Sequence, residues 1–487
     1  MKGCATVYFQ PLTQTDLQLF HELTLDILEK TGIKLKGKRA KEALLEAGCR
    51  EEGGRILFPP AVVEEALKNP AEVTFFDRSG QKAYPLTQAK RSYSHNFGSV
   101  AVLLDVETNS IREATVKDME DLTRISDYLP NLDKVVPSLR PDDLPQEIAP
   151  IAMTVYSLKN TTKPTSIGTA SDPWEVKTLV EVCAAVRGGL KKLQEKPMGS
   201  VSISPLSPLE FPEDIAEAIV EAALLGVPVT MLPCPTRGFT SPITLSGGLV
   251  QQNAEQLAFL TLARSVNPKC PLIYSCRLAA ANMRTGFVGG NEPDSGFAGA
   301  CAAQIARSYG LPSAVYGLDT GAVLPDIQSG YERAINALPP VLAGATLISG
   351  MGLLNGGLLA SGEQLVIDDE IYSMLTHRQG NFPTDREAVG AQVIQSVMDG
   401  GNFLAQTHTR TYLRGGDLWM SQKLGNSLSF EEWRGQETKS IREKARDKVR
   451  DILATHQVPP LEEGLSRELD RFLEKARPRG EELRGGV

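Results

Sequence analysis

Aromatic side chains are scarce in this 487-residue chain, at 6% of the total, so an aromatic at the end of an expected strand carries weight. Excess positive charge is absent as well. Against 51 Lys and Arg stand 59 Asp and Glu, a net charge of −8, which excludes a general nucleic-acid binder because such proteins need clustered basic residues. No uninterrupted apolar run approaches the ~20 residues that cross a bilayer; the richest, 347–359, is broken by glycines. Residues 1–10 do not read as a secretory leader. The seven cysteines are scattered, odd in number and include no CxxC pair. A disulfide framework is therefore not expected, and a reduced cytoplasm is the expected setting. The five histidines show neither HxxxH nor HxC spacing, and no metal site is expected. No GxGxxG follows a first strand, which argues against an open dinucleotide-binding sheet.

What is present is alternation. Residues 15–31 carry Leu17, Phe20, Leu23, Ile27 and Leu28 on one stripe, with Asp16 in the first turn and Gly32 as the stop. Helices over 38–47 and 62–68 and a strand over 73–76 complete an α+β segment spanning 1–90. From Tyr93 on, short β-prone or small-residue runs alternate with amphipathic helices. The expected strands are 97–104, 135–139, 165–169, 200–204, 229–232, 272–275, 314–317 and 346–349, spaced about 30 to 45 residues apart. That interval suits a βα unit, and eight such units close into a TIM (β/α)8 barrel, here residues 91–362. Helices are expected over 213–225, 297–309 and 331–338, the last stopping at Pro339. Residues 363–487 read as a helical extension.

A barrel keeps its active site at the C-terminal ends of its strands. The first tip offers Tyr93, His95 and Phe97, the fourth Glu210, and the fifth Arg237. The sixth offers Tyr274 and Arg277, and the seventh Tyr316 and Asp319. Small residues beside them leave a wide mouth, suited to a large planar cofactor presented from outside. Each residue has a plainer role open to it. His95 can sit hydrogen-bonded under a loop, Tyr274 and Tyr316 can pack, Arg277 can pair with a nearby carboxylate, and Asp319 or Asp326 can cap the next helix.

Several stretches, in order along more than nine tenths of the chain, resemble the trimethylamine methyltransferase family. They include Asn96-Phe97-Gly98, Asp118 to Leu122 with Leu129-Pro130-Asn131, Asp326 to Glu332, and Glu363 to Glu370. Gly401-Asn402-Phe403-Leu404 with His408-Thr409, Glu432-Trp433 and Leu453 to His456 complete the set. The resemblance implies a TIM barrel that moves a methyl group from a methylated amine to cobalt(I) of a separate, cognate corrinoid protein, with no tightly bound cofactor of its own. Homo-oligomers are common among such barrels, and one is expected here. The founding members carry pyrrolysine between the positions matching Asp319 and Asp326. This chain has Gly321, Ala322 and Val323 there, so the resemblance points to a quaternary amine such as glycine betaine rather than trimethylamine. Proline betaine, carnitine, or a non-catalytic barrel that only docks a corrinoid protein are the alternatives. A quaternary cation is held by aromatic faces, at ~0.5–2 kcal/mol each, aided by a carboxylate. Tyr93, Phe97, Tyr274, Tyr316 and Glu210 are the candidates. A betaine carboxylate calls for Arg237 or Arg277.

Overall fold

The computed structural model describes residues 8–87, 89–289, 292–379, 382–398, 400–421, 424–435 and 439–485. Its first helix, Gln14–Lys30, starts at a reciprocal cap in which the Thr13 hydroxyl accepts from the Asp16 N–H and the Asp16 carboxylate accepts from the Thr13 N–H. Helices Lys38–Glu46 and Pro60–Leu67 follow, with hairpins Arg50–Glu52 with Arg55–Leu57 and Thr74–Phe76 with Ala83–Pro85. The N-terminal segment is not merely adjacent to what comes next: strand Lys34–Leu35 pairs in parallel with Glu210–Phe211.

Seven parallel strands lie in the order Tyr93–Ser94, Leu347–Ser349, Ser313–Tyr316, Leu272–Cys276, Val229–Met231, Val201–Ile203, Gly168–Thr169. The two ends meet through residues 134–135. Lys134 bridges to His95, and Val135 bridges to Thr165, so the sheet closes into a barrel of eight staves with its helices outside. The first stave begins four residues earlier than the expected 97–104. Val102–Leu104, the apolar part of that stretch, instead pairs with Ile111–Glu113 and Leu359–Ala360 in a separate four-stranded sheet. Along the stave Tyr93 and His95 face the lumen, while Ser94 and Asn96 face outward and donate to the carbonyls of Asn131 and Val136.

Register fixes which side chains share a level. At the N-terminal end, Ile273, Ala314 and Leu347 point inward and pack with Val73, Phe75, Tyr84 and Leu86 of the second hairpin, with Tyr93 against them. That hairpin is a floor. The helix Leu245–Val266 is buried nearly all round, because helices Gln14–Lys30 and Pro60–Leu67 cover its outer face. The helix expected to stop at Pro339 runs Ile327–Leu342 through Pro339 and Pro340. Two helical residues follow the prolines, and the Ala343 and Ala345 N–H groups close the helix end on the carbonyls of Pro339 and Pro340. Beyond Gly362 come helices, chief among them Gly362–Thr376 and Ile441–Thr455, joined where Glu363 accepts from Arg442 and Arg446 at 2.7 Å each. Among the described residues no helix is long and apolar enough to cross a membrane.

Candidate active site

Pairing carries one inward-facing level around five neighbouring staves. Cys276 is opposite Val315, which sets Arg277 beside Tyr316; Tyr316 is opposite Ser349; the Leu347–Tyr93 and Ile348–Ser94 pairs set Ser349 beside His95; and His95 is opposite Lys134. Arg277, Tyr316, Ser349, His95 and Lys134 therefore form an arc at the C-terminal ends of their strands. The Arg277 guanidinium lies 3.7 Å from the Tyr316 ring centroid and donates to Ser349 Oγ at 2.6 Å, reaching across one stave to the next.

His95 is buried, with Nδ1 2.7 Å from its neighbour's carbonyl, Asn96 O. Burial first, then the charges of Lys134 and Arg277, hold it well below the usual imidazole range, so its ring is neutral at pH 7. Lys134 is 6% exposed, and burial together with Arg277 pulls its ammonium down to about 7. Asp319 lies just beyond the seventh stave. Its carboxylate accepts the Thr320 N–H at 2.8 Å. Burial raises its pKa to about 6 against the pull of Arg333, so it is ionised at neutral pH.

A cavity of about 190 Å³ opens here, lined by Arg277, Tyr316 and Asp319 with Cys234, Cys276 and Thr236. Its rim is built by tight backbone crossings. Gly350, at φ 112°, passes the seventh tip so closely that a Cβ would sit 2.4 Å from Leu318 O. Behind it Arg333 donates to the carbonyls of Leu318, Gly350 and Leu353 and pairs with Asp368 at 3.0 Å. The segment around Gly321 to Val323 is tied down by Glu332, which accepts from the Gly321 N–H at 2.9 Å and from Thr320 Oγ at 2.5 Å.

The other expected site residues are directed elsewhere. Tyr274 turns outward between sheet and helix, and its hydroxyl donates to Asn253 at 3.1 Å; alternation along the strand puts it on the face opposite Ile273 and Ser275. Phe97, 2% exposed, is core and sits against Gly352. Tyr93 belongs to the floor, edge-on to Tyr84 and under the Arg91 guanidinium. Glu210 pairs with Lys34 at 2.9 Å on the tie to the N-terminal segment. Arg237 is buried and pairs with Asp294 at 3.0 Å. Tyr93, Phe97, Tyr274 and Glu210 are thus not brought together with Tyr316. Lys134 is not among the expected residues, because the second expected strand begins one residue later, at Val135. Its one signal is its place directly before the apolar pair Val135-Val136.

Asp326 is the cap of helix Ile327–Leu342, accepting from the Ser329 N–H at 3.1 Å. Among the described residues no group of three or more His, Cys, Asp or Glu is placed to hold a metal ion.

The family model described as trimethylamine methyltransferase matches residues 4–480. A trimethylamine methyltransferase of Desulfitobacterium hafniense (strain DSM 10664 / DCB-2) is 30% identical over 94% of this chain and 92% of its own length. A glycine betaine methyltransferase of Desulfitobacterium hafniense (strain Y51) is 29% identical over 97% of each. Among solved structures, the monomethylamine methyltransferase of Methanosarcina barkeri covers 91% of this chain and 94% of its own, at 11% identity and a TM-score of 0.49.

Proposed function

This chain is a member of the trimethylamine methyltransferase family, and from that premise we propose that it transfers a methyl group from a quaternary amine, glycine betaine foremost, to cobalt(I) of a separate corrinoid protein. The observation that carries this reading is the pair of opposite charges on one small cavity. Arg277 and Asp319 both line it, and they form no ion pair with one another: Arg277 is engaged with Tyr316 and Ser349, and Asp319 with its neighbour's N–H. A cavity that presents a separated cation and anion is the electrostatic mirror of a zwitterion. Its modest size suits the smallest betaine better than carnitine or proline betaine.

The chemistry asks for little more. Cobalt(I) supplies the nucleophile, the C–N bond breaks with its electron pair going to nitrogen, and a neutral tertiary amine leaves without needing a proton. The chain's part is to hold the cation near Asp319, anchor the carboxylate on Arg277, and keep water out. Because Tyr316 already stacks on Arg277, the carboxylate of Asp319 does what the expected aromatic faces would have done. Ordinary residues at Gly321 to Val323 support a substrate that needs no covalent activation.

The test is turnover with reduced corrinoid partner protein. Glycine betaine should be demethylated and trimethylamine left untouched. If trimethylamine reacted as fast as any betaine, the reading would fail.

A further inference from the structure

Lys134 stands apart from every other lysine at the barrel. It is 6% exposed, and among the described residues its ammonium makes no hydrogen bond or ion pair; its contact is the face of Phe75, 5.2 Å to the ring centroid. Lys163, the other deeply set lysine, differs, because its ammonium donates to the carbonyls of Ser126, Leu129 and Leu132. Phe75 belongs to the hairpin that floors the barrel, so the Lys134 side chain points into the lumen and down toward that floor. Its neighbour on one side is neutral His95, and one stave further on is Ser349, which receives the Arg277 guanidinium. Across this arc the chain places the Arg277 guanidinium, the amine of Lys134 and an imidazole, and no carboxylate.

A lysine buried without an anion is costly. Met or Leu would fill the same space over Phe75 at no electrostatic penalty. We propose that Lys134 is the inner half of an anion seat, with Arg277 as its outer half, and that this seat takes the carboxylate of the substrate. Identifying the carboxylate as a betaine's rests on the function proposed above; the seat itself does not. The geometry separates the two poles of the ligand. The carboxylate enters first and goes deep, toward the Lys134 and His95 side of the lumen. The trimethylammonium group stays at the mouth by Asp319, where a nucleophile from outside reaches a methyl carbon.

Three probes on the full-length protein test this by titration calorimetry and thermal melting: acetate, which has the anion alone; tetramethylammonium, which has the cation alone; and glycine betaine. Lys134→Met should weaken acetate and glycine betaine by about tenfold or more, leave tetramethylammonium unchanged, and raise the melting temperature. Lys134→Arg should restore much of the acetate affinity. A packing role for Lys134 would give the opposite pattern, with acetate affinity kept in Lys134→Met and the melting temperature lowered, and that overturns the proposal. So does a wild-type protein that binds acetate no better than Lys134→Met does. If Lys134→Met does not fold, Lys134→Gln is read by the same two criteria. Acetate bound through Lys134 without any turnover of glycine betaine would leave the seat standing and remove the betaine reading alone.

Discussion

Arg333 and Asp368 meet at 3.0 Å with neither side chain touching solvent. The guanidinium also holds the carbonyls of Leu318, Gly350 and Leu353, and the carboxylate takes the Gly352 N–H at 2.7 Å and the Gln364 amide at 2.8 Å. One pair thus joins the seventh and eighth strand tips to the helix Gly362–Thr376. Arg333→Ala should cost about 3–5 kcal/mol in urea unfolding, because it strands a buried carboxylate. The double change with Asp368→Ala should cost less than the sum of the two single changes. A loss below about 1 kcal/mol for Arg333→Ala would contradict this.

Phe97→Ala should act on stability rather than on substrate. The ring is 2% exposed and packed in the core beside Gly352, so its removal leaves a cavity worth about 3–5 kcal/mol. The folded variant should keep its ratio of glycine betaine to choline turnover. A changed ratio would return Phe97 to the site.

The two arginines should separate cleanly. Arg277→Ala should cost about 2–4 kcal/mol in kcat/KM for glycine betaine and erase its preference over choline, which has no carboxylate. Arg237→Ala breaks a pair with Asp294 and should loosen the fifth tip while keeping that preference. The betaine-to-choline ratio of each folded variant decides it; the reverse result would exchange their roles.

Asp319 makes the pH profile predictable. Its carboxyl is held up to about 6 by burial, above its ordinary 3.8. The folded state therefore binds this proton more tightly than the unfolded chain does. The group's contribution to stability is largest in acid and is lost as pH rises from about 4 to about 6. Activity runs the other way: a neutral Asp319 no longer attracts the cation, so kcat/KM should fall on acidification below about 6. Asp319→Asn should lower kcat/KM and flatten that acid limb. An acid limb of the same position in Asp319→Asn would assign it to another group.

The spacing of the barrel's eight staves was legible because helices such as Glu213–Leu225, capped by a left-handed Gly226, are strongly patterned. What misled was the polarity of the lumen. Ser200 and Thr230 hydrogen-bond each other across neighbouring staves at 2.8 Å, and Ser275 and Ser349 point inward as well. Inner faces like these do not advertise themselves as apolar alternation, and the greasier stretch that follows the first stave reads as a better strand than the stave itself. Arg277, Tyr316 and Asp319 were legible as strand-end residues. The outward turn of Tyr274 was not, since one residue of register decides it, and the engagement of Glu210 with Lys34 depends on a strand far away in sequence. The family-like stretches mostly fall at joints: the Asn131 N–H and amide bind Asp369 at 2.8 and 3.0 Å, Ser329 binds Gln364 at 2.9 Å, and His456 meets Asp127 at 2.9 Å. These contacts lock pieces of the fold together, a role that sequence alone does not distinguish from chemistry.

The hairpin Thr74–Phe76 with Ala83–Pro85 has a consequence for kinetics. By stoppering the barrel below Ile273, Ala314 and Leu347, it makes the lumen a dead-end street. Under the proposed function, the amine and the corrinoid must then use a single entrance, and the larger one blocks it. Loading is compulsory in sequence: the small molecule first, the macromolecule second, with the spent amine trapped until its partner backs away. A competitive amine should therefore slow turnover without displacing the docked corrinoid protein, and excess corrinoid protein should inhibit by sealing empty barrels.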